Sequence, residues 1–225
     1  MKSSTTLALW IGALLTTPTI AAPPPVEAFA RRPAVVDVDL SPSGKRLTWI
    51  EDTGRAARLI VHDLPSGKDL RSITAPPGLR LHTVYFANDD TVLLNESRAD
   101  SVSPGKREVF EQQRWVAIDV AAGPERVMLQ TKNSGERQWV TGSTLERRHS
   151  AKAGKIYMST LDFSNTSYRT GTGSRLSGGR NDSGWESHLY EVDLRSGEGK
   201  PVGDGTAYTT GWLIDESGER IARAD

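Results

Sequence analysis

Cysteine is absent from the 225 residues of the chain, and neither sign of charge is in excess, because 28 acidic residues balance 28 basic ones. Without cysteine the chain has no disulfide framework, no thiolate metal site and no cysteine nucleophile. A net charge of zero gives no long-range field to attract a phosphate backbone or an anionic membrane. The composition therefore argues against nucleic-acid partners and leaves packing as the source of stability.

Long hydrophobic runs are also scarce, and the clearest one lies at the N-terminus. Lys2 precedes an uncharged apolar stretch over residues 7–15, and small residues follow. A run of about nine residues is typical of a secretory signal peptide, whereas a helix that spans a bilayer needs about 20. We predict a signal peptide over residues 1–22, cut after Ala21 or Ala22, with a permanent anchor as the weaker alternative. Export of a cysteine-free chain indicates a periplasmic or secreted protein with no membrane attachment after cleavage.

The sequence does contain a repeated turn. Apolar residues alternate with aspartates from Val36 to Leu40, which is the period of a half-buried strand. Ser41-Pro42-Ser43-Gly44 then has the residue preferences of a type I turn, and an apolar strand returns from Leu47 to Ile50. Comparable turn markers occur at Asp90, Gly154 and Gly218. The pattern predicts a β-hairpin at each of the four places.

A second motif consists of a short apolar strand that ends in Asp, then an aliphatic residue, two variable residues and a Gly. It occurs three times, at Asp63 to Gly67, Asp119 to Gly123 and Asp193 to Gly197. The two motifs alternate strictly along the chain, which indicates one four-stranded unit that is repeated. A period of this length is appropriate for the blades of a β-propeller.

The sequence therefore predicts an all-β fold, a partial β-propeller of four-stranded antiparallel blades. A proline-rich linker over residues 23–33 would precede this domain, which covers 34–225. The predicted blades are 35–73, 82–129, 139–202 and a partial one at 211–225. The polar stretches at 95–111 and 162–186 are predicted to be long loops inside blades two and three. Because the repeat stops within the fourth blade, we expect inter-blade surfaces to be open and to permit self-association.

Searching for catalytic chemistry yields no candidate. No serine has the G-x-S-x-G setting of a nucleophile elbow, and the Gly-rich stretch 171–179 lacks the ending of a phosphate-binding loop. The histidines do not have the paired spacing of a zinc site, and none has an acidic partner in view. These are His62, His82, His149 and His188. We predict no catalytic residue, no cofactor and no metal site in this chain.

The recurring aspartates have a structural interpretation, because Asp at the start of a turn accepts hydrogen bonds from nearby backbone N–H groups. The tryptophans are expected to pack between blades. These are Trp49, Trp115, Trp139, Trp185 and Trp212. Trp185, which lies in a polar stretch, is the best candidate for an aromatic side chain that faces a substrate.

The turn motifs at residues 40–47, 61–68 and 211–218 resemble the N-terminal propeller of secreted bacterial serine peptidases of the prolyl oligopeptidase family. The resemblance covers nearly all of the chain after the signal peptide, although similar turns also occur in TolB-like propellers. It implies a following α/β-hydrolase domain with the catalytic Ser, Asp and His, and a propeller that admits only short or unfolded peptides. This sequence departs from the pattern because it ends before that domain, so no catalytic residue carries over.

Two hypotheses of different classes follow. The chain is either the non-catalytic propeller portion of such a peptidase, with peptides as partners only through the hydrolase domain, or a stand-alone exported propeller that binds a partner. We favour the first, because an independent propeller is not expected to end after half a blade.

Overall fold

The computed structural model of the protein describes residues 33–101, 109–130, 143–163, 185–206 and 208–225. The predicted signal peptide and all but the last residue of the predicted linker lie outside these ranges. Within them every regular element is a β-strand. No helix in the described part of the chain is long and apolar enough to cross a membrane.

The strands form three four-stranded antiparallel sheets and one hairpin, and in each sheet the strands neighbour one another in chain order. We call these sheets blades one to four. Blade one contains β1 (Val35–Leu40), β2 (Arg46–Asp52), β3 (Ala57–Asp63) and β4 (Lys68–Thr74). Blade two contains β5 (Leu79–Asn88), β6 (Thr91–Ser101), β7 (Val109–Asp119) and β8 (Arg126–Val127). Blade three contains β9 (Thr144–Arg147), β10 (Lys155–Phe163), β11 (Trp185–Asp193) and β12 (Gly199–Asp204). Blade four contains β13 (Gly211–Ile214) and β14 (Arg220–Ala224).

This order of sheets is that of a partial β-propeller, so the predicted fold class is confirmed. The first turn shows why these residues form a hairpin. The Gly44 N–H donates to the Ser41 carbonyl at 2.8 Å, and the φ of Gly44 is 68°, a conformation that glycine adopts without steric cost. Leu40 consequently lies opposite Leu47.

The turn after the third strand of a blade depends on the aspartate that ends this strand. The Asp63 carboxylate accepts from the Ser66 N–H at 3.0 Å, and the Gly67 N–H donates to the Asp63 carbonyl at 2.8 Å. In blade three the Asp193 carboxylate accepts from Ser196 N–H at 2.9 Å in the same way. The structural interpretation of these two aspartates is confirmed.

The prediction of long loops at 95–111 and 162–186 is partly wrong, because the ends of both stretches belong to strands. Strands β6 and β7 pair without interruption as far as Ser101 opposite Val109, and β10 and β11 pair as far as Phe163 opposite Trp185. In β6 and β7 polar residues face polar partners across the pair, such as Glu96 opposite Arg114. Polar side chains that find partners across a pair do not terminate a strand. Residues 102–108 and 164–184 lie outside the described part.

Three hydrophobic clusters lie between successive blades. The first joins blade one to blade two through Ile50, Leu59 and Val61 on one side and Phe86, Leu94 and Ile118 on the other. The second joins blades two and three, and its members include Leu93, Ala117, Ile156, Met158 and Val192. The third joins blade three to the hairpin through Tyr157, Leu189, Trp212 and Ile214.

The tryptophans do not all lie between blades. Trp115 and Trp212 are 7% exposed inside the second and third clusters, as predicted. Trp49 is only half-buried on the face of blade one that points away from blade two, so the prediction is wrong for this residue. Trp185 begins β11, which places its backbone in a strand instead of a loop. Trp139 lies outside the described residues.

Candidate functional site

Backbone N–H groups on the first strand of one blade are bound by carboxylates from the first strand of the preceding blade. The N–H of Val84 donates to Asp37 Oδ2 at 2.9 Å, and the N–H of Phe86 donates to Asp39 Oδ2 at 2.8 Å. The first strand is the edge of its sheet, and unpaired edge groups are a site for unwanted strand pairing. The two aspartates therefore satisfy an edge and fix the position of blade two against blade one.

The same device recurs between blades three and four. Glu146 in β9 accepts from the Trp212 N–H of β13 at 3.2 Å through Oε2. Its other oxygen, Oε1, accepts from the Ser159 hydroxyl. A carboxylate that binds two donors in a half-buried position is held in one orientation. First-strand carboxylates thus connect blades at two of the three inter-blade contacts.

Side chains from the first three blades meet in a polar cluster beside these bonds. The Arg148 guanidinium, just after β9, contacts Asp39 at 2.7 Å and lies 4.5 Å from the centre of the Tyr85 ring in β5. The neighbouring His149 Nδ1 lies 3.1 Å from the Ala87 carbonyl oxygen. We call Asp39, Tyr85, Arg148 and His149 the first-strand cluster. It combines an ion pair with a cation–π contact and keeps a third of the Arg148 side chain accessible.

A cleft of about 620 Å³ lies between the turns of blades two and three. Arg126 crosses it, because its two terminal nitrogens each contact Asp119 at 2.7 Å while its Nε donates to the Leu194 carbonyl at 2.9 Å. The hydrogen bond from Arg126 lowers the pKa of Asp119. Asp119 therefore departs from the turn role of the other two aspartates and ties blade two to blade three through a bidentate arginine.

Asp193 lines the same cleft and also forms an ion pair. Lys155 Nζ contacts its carboxylate at 2.9 Å. This hydrogen bond, with those from the backbone of Ser196 and Arg195, lowers the pKa of Asp193 to about 2. Three charged groups of the cleft, Asp119, Arg126 and Asp193, thus serve contacts within the protein.

Two histidines have acidic partners that the sequence did not reveal. His62 Nδ1 lies 2.7 Å from Asp69, and His188 Nδ1 lies 3.1 Å from Asp204. The expectation that no histidine pairs with an acid is therefore wrong. Each pair joins neighbouring antiparallel strands, so it depends on the pairing of the strands and not on a sequence motif.

A third histidine takes part in a Ser-His-Glu arrangement. His82 Nε2 lies 2.6 Å from Ser97 Oγ, and the Ser97 hydroxyl donates to Glu111 at 2.6 Å. This hydrogen bond lowers the pKa of Glu111. The Ser97 hydroxyl is fully buried and its proton is directed at Glu111, so His82 is not placed as the base of a nucleophilic serine.

A buried ion pair lies next to this arrangement. Glu96 is 1% exposed, and its carboxylate contacts Arg114 Nε at 2.5 Å. Burial raises the pKa of Glu96, against the opposing effect of Arg114. Among the described residues no three His, Asp or Glu side chains come together in a group that could hold a metal ion. The Gly-rich stretch 171–179 lies outside the described part.

The residues of the first-strand cluster were not singled out from the sequence. Asp37 and Asp39 merely continue the alternation of a strand, and Arg148 follows another arginine. Their partners are 47 residues away for each aspartate and 109 residues away for the Arg148–Asp39 pair. An acidic residue on the first strand of blades one and three, Asp39 and Glu146, is the one signal that the sequence offered.

The repeated sheets and the carboxylates between them define a β-propeller protein. No model of a protein family and no curated protein matches the chain. An acylaminoacyl peptidase in complex with Z-Gly-Gly-Phe-chloromethyl ketone is similar at a TM-score of 0.48 and 11% identity, over 83% of this chain and 27% of that one. The uncomplexed acylaminoacyl peptidase of Pyrococcus horikoshii has a TM-score of 0.47 and 11% identity, over 83% of this chain and 27% of that one. TolB from Acinetobacter baumannii has a TM-score of 0.41 and 14% identity, over 84% of this chain and 37% of that one.

The chain thus spans between about a quarter and two fifths of the length of these structures. Identities of 11 to 14% and TM-scores below 0.5 assign neither a family nor an activity. The fold assignment rests on the chain's own sheets.

Proposed function

We propose that the chain is the non-catalytic propeller portion of an exported serine peptidase that resembles the prolyl oligopeptidase family. In this proposal the propeller restricts the access of peptides to a hydrolase domain. The sequence support is the set of turn motifs shared with such propellers. The structural observation that carries the proposal is the first-strand cluster, where side chains from three blades converge.

The chemistry of this cluster suits contact with an extended peptide. Asp39 and Arg148 form a neutral pair, so they create no field that would hold a peptide of one particular charge. Both groups are only partly exposed, and Arg148 is further fixed on the Tyr85 ring. A rigid polar surface with one acid, one guanidinium and one imidazole can exchange hydrogen bonds with peptide groups without retaining them tightly. This arrangement favours a surface that a peptide passes over, more than a site that binds the peptide tightly.

Within the described part of the chain, no serine is positioned as a nucleophile with an activating base. The one serine with a histidine at 2.6 Å is the fully buried Ser97, whose proton is directed at a carboxylate. Any hydrolysis would therefore have to come from residues other than these. The proposal accordingly assigns the hydrolytic residues to another domain.

A covalent probe tests the proposal. An antibody raised against the 225-residue chain isolates the native polypeptide from the exported fraction of the source cells, which is then treated with a fluorophosphonate that labels active serine hydrolases. We expect the labelled band and the antibody band to coincide, and prior treatment with an unlabelled serine inhibitor to abolish the label. The purified 225-residue chain serves as the control and should remain unlabelled.

The alternative is a stand-alone exported propeller that binds a partner, which is favoured by the presence of the same turns in TolB-like propellers. In that case the antibody isolates a polypeptide that takes no label. Such a result, obtained from the exported fraction, would overturn the peptidase proposal. Labelling of the 225-residue chain itself would overturn its non-catalytic part.

A further inference from the structure

The third strand of blade two is much longer than the strand that pairs with its outer side. Strand β7 runs over 11 residues, whereas β8 contains only Arg126 and Val127. In blade one, by contrast, β4 pairs with the third strand from Arg58 to Asp63. Strand β7 is paired with β6 along its whole inner side. Among the described residues, none pairs through its backbone with the outer side of β7 before Trp115.

A residue in an unusual conformation ends β8 and takes the chain away from β7. Leu129 has a φ of 63°, a left-handed conformation that is unfavourable for a bulky side chain. The Gln130 N–H then donates to the Gly197 carbonyl of blade three, and the Gly199 N–H donates to the Gln130 carbonyl, both at 2.8 Å. Leu129 is 3% exposed in the second cluster, which holds this conformation in place. The fold thus shortens β8 by directing the chain towards blade three.

The direction of the backbone groups on the outer side of β7 follows from a bond that the residues after β8 make. The Trp115 carbonyl accepts from the Met128 N–H at 2.8 Å, so the Trp115 backbone faces outward. Successive residues of a strand in an antiparallel sheet direct their N–H and C=O groups to alternate sides, so Gln113 and Glu111 also face outward. We call the outward backbone groups of Glu111 and Gln113 the open edge of blade two. Each residue offers one donor and one acceptor to another chain.

The side chains along β7 do not prevent another strand from approaching this edge. Natural sheet edges are protected by lysine, proline, a β-bulge or an inward-pointing charge. Residues 109–115 contain no lysine and no proline, and the register of β6 on β7 has no shift. The inward charge of Arg114 is paired with Glu96, and the Glu111 carboxylate lies 3.5 Å from Arg80, which offsets its charge. The edge therefore suits an uncharged, extended peptide segment.

We propose that the open edge of blade two binds an extended peptide segment, which adds an antiparallel strand in line with β8. An extended backbone matches this edge because it repeats a donor and an acceptor at the spacing of a strand. The main-chain bonds supply the affinity, and alternate side chains of the segment lie on the two faces of the blade. The inference does not depend on whether a hydrolase domain accompanies the chain, so the outcome of the fluorophosphonate experiment does not affect it.

Peptides with blocked backbone donors test whether main-chain pairing is responsible. The probe is a fluorescent hexapeptide of alternating Thr and Val, capped at both ends and N-methylated at every second residue, so that it keeps one free edge and does not stack on itself. We expect its anisotropy to rise and saturate on titration with the 225-residue chain. The same peptide N-methylated at every residue should bind at least about tenfold more weakly, because it has the same side chains without the donors. Equal binding of the two peptides, or no saturable binding of the first, would overturn the proposal.

Variants of Gln113 test where the peptide binds. Gln113→Pro removes an outward N–H that makes no bond to β6, so the strand should tolerate it, and peptide binding should weaken at least about fivefold. Gln113→Thr keeps the N–H and suits a strand, so this matched control should bind as the unmodified chain does. The denaturation midpoint of each variant verifies that it is folded. Unchanged affinity in a folded Gln113→Pro variant would overturn the proposal.

Hydrogen exchange of the unmodified chain provides a measurement that needs no variant. The Gln113 amide should exchange at least about tenfold more slowly with saturating peptide, whereas the Gln112 amide, which faces β6, should not change. No slowing at Gln113 would overturn the proposal. A concentration-dependent dimer of the chain that excludes the peptide would show that a second copy occupies the edge, and this result would also overturn it.

Discussion

Asp63 and Asp193 occupy the same place in the same repeated motif, yet different contacts lower the pKa of each carboxyl. Both accept hydrogen bonds from the turn that follows, and these bonds lower the pKa of Asp63. Asp193 also contacts Lys155, and this bond is the largest cause of the fall of its pKa to about 2. A carboxyl whose pKa is lower in the folded state than in the unfolded state stabilises the fold only while it is ionised.

We predict that Asp193→Asn reduces the acid sensitivity of the fold. The contribution of the carboxylate is present above the unfolded pKa of 3.8 and is lost as the pH falls towards about 2. The asparagine retains the turn but loses the attraction to Lys155, so stability at neutral pH should fall by about 1 kcal/mol or less, since the pair is a third exposed. Urea unfolding between neutral pH and pH 3 measures this. Asp63→Asn, which removes no lysine contact, should change the pH dependence less; an equal change in both would show that the Lys155 contact has no effect.

At the scale of the element, turn glycines that look alike in the sequence differ in what surrounds them. Gly44 and Gly197 both have positive φ values, 68° and 78°. A Cβ atom on Gly44 would meet nothing within 4 Å, whereas one on Gly197 would lie 2.1 Å from the backbone carbonyl oxygen of Val127. This close approach exists because the blade-three turn packs against β8 and the residues after it, where the Gln130 N–H donates to the Gly197 carbonyl at 2.8 Å.

Alanine at these two glycines should therefore have unequal effects. Gly44→Ala is expected to cost about 1 to 2 kcal/mol, the usual penalty for a left-handed conformation. Gly197→Ala adds a clash with backbone to this penalty and should cost about 2 to 5 kcal/mol in total. Comparing the two denaturation midpoints, with the unmodified chain as reference, measures the difference. Equal destabilisation would mean that β8 moves away from the turn without cost.

At the scale of the whole molecule, blade two connects its neighbours because its two faces enter different clusters. Leu94 and Ile118 pack towards blade one, whereas Leu93 and Ala117 pack towards blade three. Arg126 adds a polar connection between blades two and three. A sheet whose two faces are both covered by neighbours is not expected to unfold while they remain folded.

We predict that Leu93→Ala destabilises the protein by about 2 to 5 kcal/mol, because Leu93 is fully buried in the second cluster. Unfolding should remain one transition, seen together by far-ultraviolet circular dichroism and tryptophan fluorescence. The control Leu64→Ala lies at a turn where the side chain is 47% exposed, and it should change stability by less than about 0.5 kcal/mol. Separate transitions from the two signals would show that the blades unfold independently.

Much of the fold could be predicted from the sequence, because the turns depend on residues that are close together in the chain. The Ser41–Gly44 turn and the Asp63–Gly67 turn are closed by bonds between residues at most four positions apart, so residue type alone indicates them. The extent of β6 and β7 was missed because the polar residues of that pair are compatible with a strand only once their partners are known. The histidine–acid pairs were not predicted either, because they too depend on which strands pair.

The sequence by itself determined the β-strands, their turns and the repetition of a four-stranded unit. The tertiary structure decided which faces of equivalent strands are buried: Leu40 and Ile214 have equivalent positions, yet one is 51% exposed and the other 3%. It also decided that Asp39 binds both the Phe86 N–H and Arg148, partners that belong to two other blades. Burial and long-range pairing depend on which sheet packs on which, and this is a property of the assembled blades that no short stretch of sequence contains.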